Sequence, residues 1–236
     1  MRYLAVDIET TGLNQENDRI IEVGAVLFEQ GERVKSFSKL INPLIPLPPR
    51  IVELTGITEE MLLKAGTESE VLSEFYEFAG EEILLGHNIL FDFSFLKVAA
   101  SRMGKSFIKR GLDTLHLARL FHADLPSKSL DSMCKHYDIV RHESHRAVSD
   151  AIAAALLFEK MATNFRAEWE ESFTEKELSY EPKKQEPMTA KQKKYLLDLV
   201  NYHRIEIPPQ LDQFTKSSAS KYIDKIILAY GMRFRR

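Results

Sequence analysis

Apolar and polar positions alternate in short blocks from the first residue. Leu4, Val6 and Ile8 form a partly β-branched run that reads as a buried strand, ended by the turn Thr10-Thr11-Gly12. Residues 19–28 predict a second strand and residues 34–41 a third, with Val34, Phe37, Leu40 and Ile41 as apolar positions. Gln30-Gly31-Glu32 reads as the hairpin turn between them, so the chain opens as a β-meander. Pro43, Pro46, Pro48 and Pro49 then argue against regular structure, and residues 51–58 follow without an assigned element. Thr58 before Glu60-Met61-Leu62-Leu63 has the look of a capped helix start, and Val71, Leu72, Phe75, Phe78 and Ala79 form a helical stripe.

From residue 82 the pattern changes to short strands alternating with helices. Residues 82–86 predict a buried strand and residues 91–104 a helix whose apolar face holds positions 92, 95, 96, 99 and 103. Residues 111–115 predict another strand, followed by helices through 118–121, 129–137 and 145–162. The last is alanine-rich, and small side chains permit close packing on a sheet. Residues 163–187 read as a connector. Trp169 and Phe173 are able to dock it on the body, while Pro182 and Pro187 mark a linker by about 179. A second module starts at Met188-Thr189. Its helices carry the stripes Tyr195, Leu196, Leu199, Val200 and Ala219, Tyr222, Ile223, Ile226, Ile227, Tyr230. Pro208-Pro209 break the first helix and Gly231 stops the second. So small a core is expected to dock on the body, a second copy or a partner.

Four acids interrupt these apolar elements. Asp7 and Glu9 leave the same face of the first strand, about 7 Å apart along the backbone. Asp92 lies on the apolar face of its helix, and Asp150 shares a face with Ala154 and Leu157. A salt bridge to Arg2 or Arg19 is the structural alternative for the first pair, and helix capping is the alternative for Asp92. If the alternating elements bring the four together, they cannot all stay ionised in a dry site without cations. Hard oxygen ligands select Mg²⁺ or Mn²⁺, and two such ions form the clamp used for phosphoryl displacement. A base for water is still required. Of the seven histidines, His145 lies five residues before Asp150. The two do not share a helical face, so His145 serves only if it overhangs the site from a loop or first turn.

Charge and composition narrow the setting. Of 236 residues 44% are hydrophobic, enough for one sizeable domain and a small one. The net charge of −3 conceals an acidic body and a basic end: residues 182–236 carry 12 Lys and Arg against 5 Asp and Glu. That is the footprint of a polyanion partner or of a solvated helix pair. Cys134 is the single cysteine, which excludes an intrachain disulfide and a cysteine zinc site. No signal-peptide pattern opens the chain and no apolar run approaches a membrane span, so a soluble cytoplasmic protein is expected.

The motifs Asp7-Ile8-Glu9-Thr10-Thr11-Gly12-Leu13, residues 19–25 (RIIEVGA), His87-Asn88-Ile89-Leu90-Phe91-Asp92 and His145-Arg146-Ala147-Val148-Ser149-Asp150-Ala151 occur in that order. With Leu54-Thr55-Gly56-Ile57-Thr58, they make residues 1–165 resemble the DnaQ-like 3′→5′ exonucleases of the DEDD superfamily, histidine subgroup (RNase T and proofreading type). The resemblance implies an α/β, RNase H-like fold: a mixed five-stranded sheet flanked by helices. It implies that Asp7, Glu9, Asp92 and Asp150 bind two Mg²⁺ or Mn²⁺ ions and that His145 deprotonates the attacking water. It also implies that Thr10 and Leu13 line the pocket of the terminal nucleotide, with Ile57, Asn88 and Phe91 as weaker candidates. Asp113 recurs in the family and is read as structural.

The expected division is a nuclease domain at 1–165, a connector at 166–187 and a small basic helical module at 188–236. The module lies outside the resemblance. Its Lys183, Lys184, Lys191, Lys193, Lys194, Arg233, Arg235 and Arg236 are candidates for contact with a nucleic-acid backbone, which would make binding salt-sensitive. The expected partner is nucleic acid with a free 3′ end, with a polymerase or replication protein as a further candidate. The leading function is DNA 3′→5′ exonuclease, in proofreading or repair. The alternatives are an RNA exonuclease on the same scaffold and a non-catalytic binding scaffold. No polymerase or helicase segment is recognisable, which argues against a fused proofreading role for these 236 residues.

Overall fold

The computed structural model describes residues 1–141, 145–182, 186–207 and 211–232. Its centre is β1 (Arg2–Thr10), apolar on both faces because it is covered on both. Leu4, Val6 and Ile8 join one core cluster and Tyr3 and Ala5 the other. β2 (Ile20–Glu29) runs antiparallel beside β1. Gln30 and Gly31, with φ of 53° and 84°, make the tight hairpin turn into β3 (Glu32–Asn42). The two-residue β4 (Gly66–Thr67) pairs parallel with the end of β3. On the other side β5 (Leu84–Gly86) and β6 (Arg110–Asp113) continue the sheet in parallel. β7 (Lys176–Glu177) closes that edge antiparallel to β6. The sheet order is thus β4-β3-β2-β1-β5-β6-β7, the five expected strands plus a two-residue strand at each edge.

Helices cover both faces. α1 (Pro49–Thr55) and α2 (Glu59–Leu63) lie in the stretch after β3. The first corrects the sequence expectation: Pro49 begins a helix, because a proline at the first helical position gives up an N–H that has no partner anyway. α3 (Glu68–Ala79), capped by Thr67, and α4 (Ile89–Arg102) pack on the Leu4, Val6 and Ile8 side. α5 (Thr114–Phe121), α6 (Leu130–His136) and α7 (Ala147–Phe165) pack on the other. Gly24 lets α7 come close. A Cβ there would stand 2.1 Å from the Val148 backbone nitrogen.

Residues 166–178 fold onto the body. Phe173 is buried, stacks near Phe121 at 5.7 Å and meets Phe158 edge-on. Leu178 fills the space that a side chain at Gly111 would need. Beyond it, α8 (Ala190–His203) and α9 (Lys216–Tyr230) form a separate small core from Leu196, Leu199, Val200, Ala219, Ile223 and Ile226, with Leu211 and Phe214. Capping boxes Thr189/Gln192 and Thr215/Ser218 start the two helices. The Gln192 side-chain amide also donates to the Lys216 carbonyl and the Ser220 hydroxyl, joining them. Lys221 and Lys225 reach the body at Asp18 and Glu59, so part of the module's basic charge is used within the chain. Lys183, Lys184, Pro208, Pro209, Arg233, Arg235 and Arg236 lie outside the described residues.

Candidate active site

The four acids converge at the end of β1. Side chains alternate along the strand, so Asp7 and Glu9 share the face of Tyr3 and Ala5, beneath α7. Asp92 arrives on the first turn of α4. There β5 runs into Asn88, whose left-handed φ of 76° turns the chain sharply into the helix. Asp92 is 4% exposed, and its Oδ1 accepts the Ile8 backbone N–H at 3.0 Å, which fastens α4 to β1 between the two strand acids. Asp113 stabilises the same corner. Its Oδ1 accepts from the backbone N–H groups of Asn88 (2.9 Å), Leu115 (2.9 Å) and His116 (3.3 Å), a structural role.

Asp150 arrives on the first turn of α7, and two residues of β2 set its height. Gly24 faces Asp7 in the β1–β2 register and admits the helix backbone. Glu22, 1% exposed, accepts the Ala147 backbone N–H at 3.1 Å and an ion pair from Arg146 at 2.8 Å. A buried carboxylate at a helix N-terminus is favoured by the free N–H groups there. His145 stands just before the helix with φ of 60°, an uncommon value for a non-glycine residue. It lies in the turn that precedes the helix, the placement on which its candidacy as base was conditional. One donor atom each from Glu9, His145 and Asp150 lie within 4.8 Å of one another.

Burial and like charge oppose ionisation of this group. Asp7 is held well above the usual carboxylate range, first by burial and then by Asp92, Asp150, Glu9 and Glu22. Burial also raises Asp92, against the stabilising N–H of Ile8. It raises Asp150 against Arg141, which pairs with both Asp150 and Asp131. Glu9 is pushed up to about 7 by burial, Asp150 and Glu22, with Arg146 opposing. The salt-bridge alternative does not describe the strand pair. Arg2 binds Glu29 and Glu82, and Arg19 donates to the carbonyls of Glu16 and Asp18. Four hard oxygen donors that resist ionisation together fit divalent cations, with Arg141 as a competing cation at Asp150.

The expected nucleotide-pocket residues are placed less uniformly. Leu13 is 80% exposed beside the buried Thr10, whose hydroxyl donates to the Gly12 carbonyl at 2.6 Å. Asn88 is exposed and Phe91 half-buried against Phe95. Ile57 is fully buried among Ile21, Leu47 and Leu62 and has no surface to offer a ligand. Of the basic candidates in the module, Lys193 is paired with Asp212. Glu22, Gly24, Asp18 and Arg141 were not singled out from the sequence. An acid and a glycine inside the apolar strand 20–28 were the available signal for the first two.

The exonuclease family model of the RNase T type matches residues 4–158. The chain belongs to this exonuclease family. Members of the family depend on divalent metal, in keeping with the acidic cluster. The chain is 36% identical over 238 residues to a DNA polymerase III PolC-type of Clostridium perfringens, covering 96% of this chain and 16% of that protein. With the PolC-type protein of Caldanaerobacter subterraneus subsp. tengcongensis it is 42% identical over 159 residues, 67% of this chain and 11% of the relative. The chain thus spans about a sixth or less of these relatives' length. The C. perfringens alignment continues beyond the body into the C-terminal module. Among solved structures, the zinc-bound E. coli exonuclease I–ssDNA complex superposes with a TM-score of 0.63 at 20% identity, over 72% of this chain and 42% of that one. Exonuclease X in complex with 5′-overhanging duplex DNA gives 0.58 at 24%, over 69% and 92%. At these identities what is shared is the fold, the RNase H-like α/β arrangement. Among the described residues no helix is long and apolar enough to cross a membrane.

Proposed function

We propose that the chain is a 3′→5′ exonuclease that removes nucleoside 5′-monophosphates from DNA. The observation that carries this reading is the convergence of Asp7, Glu9, Asp92 and Asp150 from three separate elements, with His145 beside Glu9 and Asp150. The four carboxylates would hold Mg²⁺ or Mn²⁺. When bound, a pair of such ions supplies positive charge to the scissile phosphate and acidity to the attacking water. His145 takes the proton of that water as its oxygen forms the new bond to phosphorus. The bond from phosphorus to the 3′-oxygen of the preceding nucleotide breaks, and that oxygen is protonated as the shortened strand's new 3′-hydroxyl.

Thr10, Leu13, Asn88 and Phe91 would line the pocket for the terminal nucleotide. An apolar contact such as Leu13 accepts any base, which suits low sequence specificity. DNA is favoured over RNA because the relatives are named DNA polymerase III and the fold neighbours include complexes with DNA. The same names support a replication setting, with a polymerase as a candidate partner, and the buried free thiol of Cys134 suits the cytoplasm. The test is degradation of matched single-stranded DNA and RNA oligomers with Mg²⁺ or Mn²⁺. DNA is expected to shorten from its 3′ end. Preferential trimming of RNA would replace the DNA reading, and a chain inert on both would restore the binding-scaffold reading.

A further inference from the structure

The turn between β1 and β2 follows Thr10 and carries Leu13. Asn14 holds it from inside, its Oδ1 accepting the Glu16 and Asn17 N–H groups and its carbonyl the Asp18 N–H, and the Asp18 carboxylate holds it from below. Asp18 is 9% exposed, and its Oδ2 accepts the Asn14 backbone N–H at 2.9 Å. Its carboxylate lies so close under Gly12 that a Cβ there would stand 2.5 Å from Oδ2. Thr11 and Arg19 close the base of the turn through the backbone bond Thr11 N–H to Arg19 carbonyl at 2.9 Å, and the Thr11 hydroxyl accepts the Arg19 N–H at 3.0 Å.

The cation facing Asp18 comes from the far end of the chain. Lys221, on the first half of α9, donates to Asp18 Oδ1 at 2.5 Å and to the Asn17 carbonyl at 3.1 Å. A second tether reaches the same turn from the segment that leads to the module, the Tyr180 hydroxyl donating to Glu16 at 3.3 Å. A cavity of about 710 Å³ between module and body is lined in part by Arg19, Asn42, Arg102, Thr215 and Ser218. Polar contacts from Lys221 and Lys225 join the module to the nuclease body, and the Lys221 contact lands on the turn beside the catalytic acids.

We propose that Lys221 is a positioning residue. Through Asp18 it holds the 12–18 turn in the shape that receives the terminal nucleotide, so the C-terminal module tunes substrate binding without entering the site. This rests on the exonuclease reading above. It assigns the basic module a role inside the chain, distinct from direct contact with a nucleic-acid backbone.

The test compares the full chain with Lys221→Met and Lys221→Arg by two readouts. The first is amide hydrogen exchange over residues 11–18 without substrate. The second is the division of KM and kcat on a single-stranded DNA oligomer. Lys221→Met is expected to speed exchange at Asn14 and its neighbours and to raise KM about fivefold, with kcat altered less than about twofold. Lys221→Arg, which keeps the charge, is expected to restore both. Unchanged exchange in Lys221→Met overturns the tether. Faster exchange with an unmoved KM overturns the positioning role. A wild-type chain inert on 3′ ends contradicts the exonuclease reading instead, and the exchange arm still decides the tether by itself.

Discussion

Two neighbouring regions at the end of β1 are built in opposite ways. The acidic cluster rests on regular elements: Asp7 and Glu9 on a buried strand, Asp92 on a helix bonded to that strand, and Asp150 on a helix seated by Gly24 and Glu22. The turn that follows, residues 12–18, lies beyond the end of the β1–β2 ladder, which closes with the Thr11–Arg19 pair. It relies on the Asp18 carboxylate, on threonine hydroxyls and on a lysine some 200 residues away. The first arrangement gives fixed geometry to groups that repel one another. The second is an irregular turn held by side chains, beside Thr10 and Leu13, the residues proposed to receive the terminal nucleotide. On the proposed function, chemistry would lie on rigid elements and recognition on a loop, as function commonly divides between scaffold and loops.

The largest effects should come from breaking the rigid half. Asp7→Asn should lower turnover by more than about 10³-fold, measured by product release, because it removes a ligand from the shared charge cluster. The same variant should melt no lower than wild type without metal, since a neutral side chain relieves a buried like-charged group. A lower melting point would mean that the acids are structural. His145→Ala should cost about 10²-fold in rate while metal-dependent stabilisation persists. Unchanged kinetics would remove it as the base.

Seating of α7 is the next test. Gly24→Ala should destabilise the fold by about 1–3 kcal/mol, read by denaturant unfolding, because the new methyl group meets helix backbone that has nowhere to go. A neutral result would show that Asp150 is positioned by other means.

The smallest expected effect concerns pH. Glu9 is raised from 4.5 to about 7 in the folded chain. Below pH 4.5 it is protonated in both folded and unfolded states, and its full contribution to stability is present. Between 4.5 and 7 the unfolded chain loses this proton first, so metal-free stability falls as pH rises through that window. Thermal melting in chelator should show the fall. Added Mn²⁺ should recover more stability at pH 8 than at pH 5, because ionised carboxylates bind it. A metal-free melting point that rises from pH 5 to 7 would contradict the electrostatic account.

Most of the rigid half was legible in the sequence, since a strand's period of two and the position of an acid on an apolar stripe are local properties. His145 was legible only in part: its spacing to Asp150 suits the site from a turn, and the motif resemblance rather than the spacing singled it out as the base. Helix α1 was missed because four prolines in seven residues read as a break, although a proline at a helix start fits the fold. The roles of Gly24 and Glu22 depend on where α7 lands, and those of Asp18 and Lys221 on a contact between chain ends. Neither is local, so neither leaves a periodic trace. The same limit applies to Ile57, whose motif neighbours suggested a pocket while the packing of α1 and α2 places it in a core.

The most direct test of the central claim follows one DNA strand labelled at either end through its first turnover with Mg²⁺ or Mn²⁺. With the 3′ label, the expected first product is a labelled nucleoside 5′-monophosphate. With the 5′ label, the strand should shorten one nucleotide at a time, and chelator or Asp7→Asn should stop both. Release of the 5′ label first, internal cuts, or degradation that survives chelator would contradict the account.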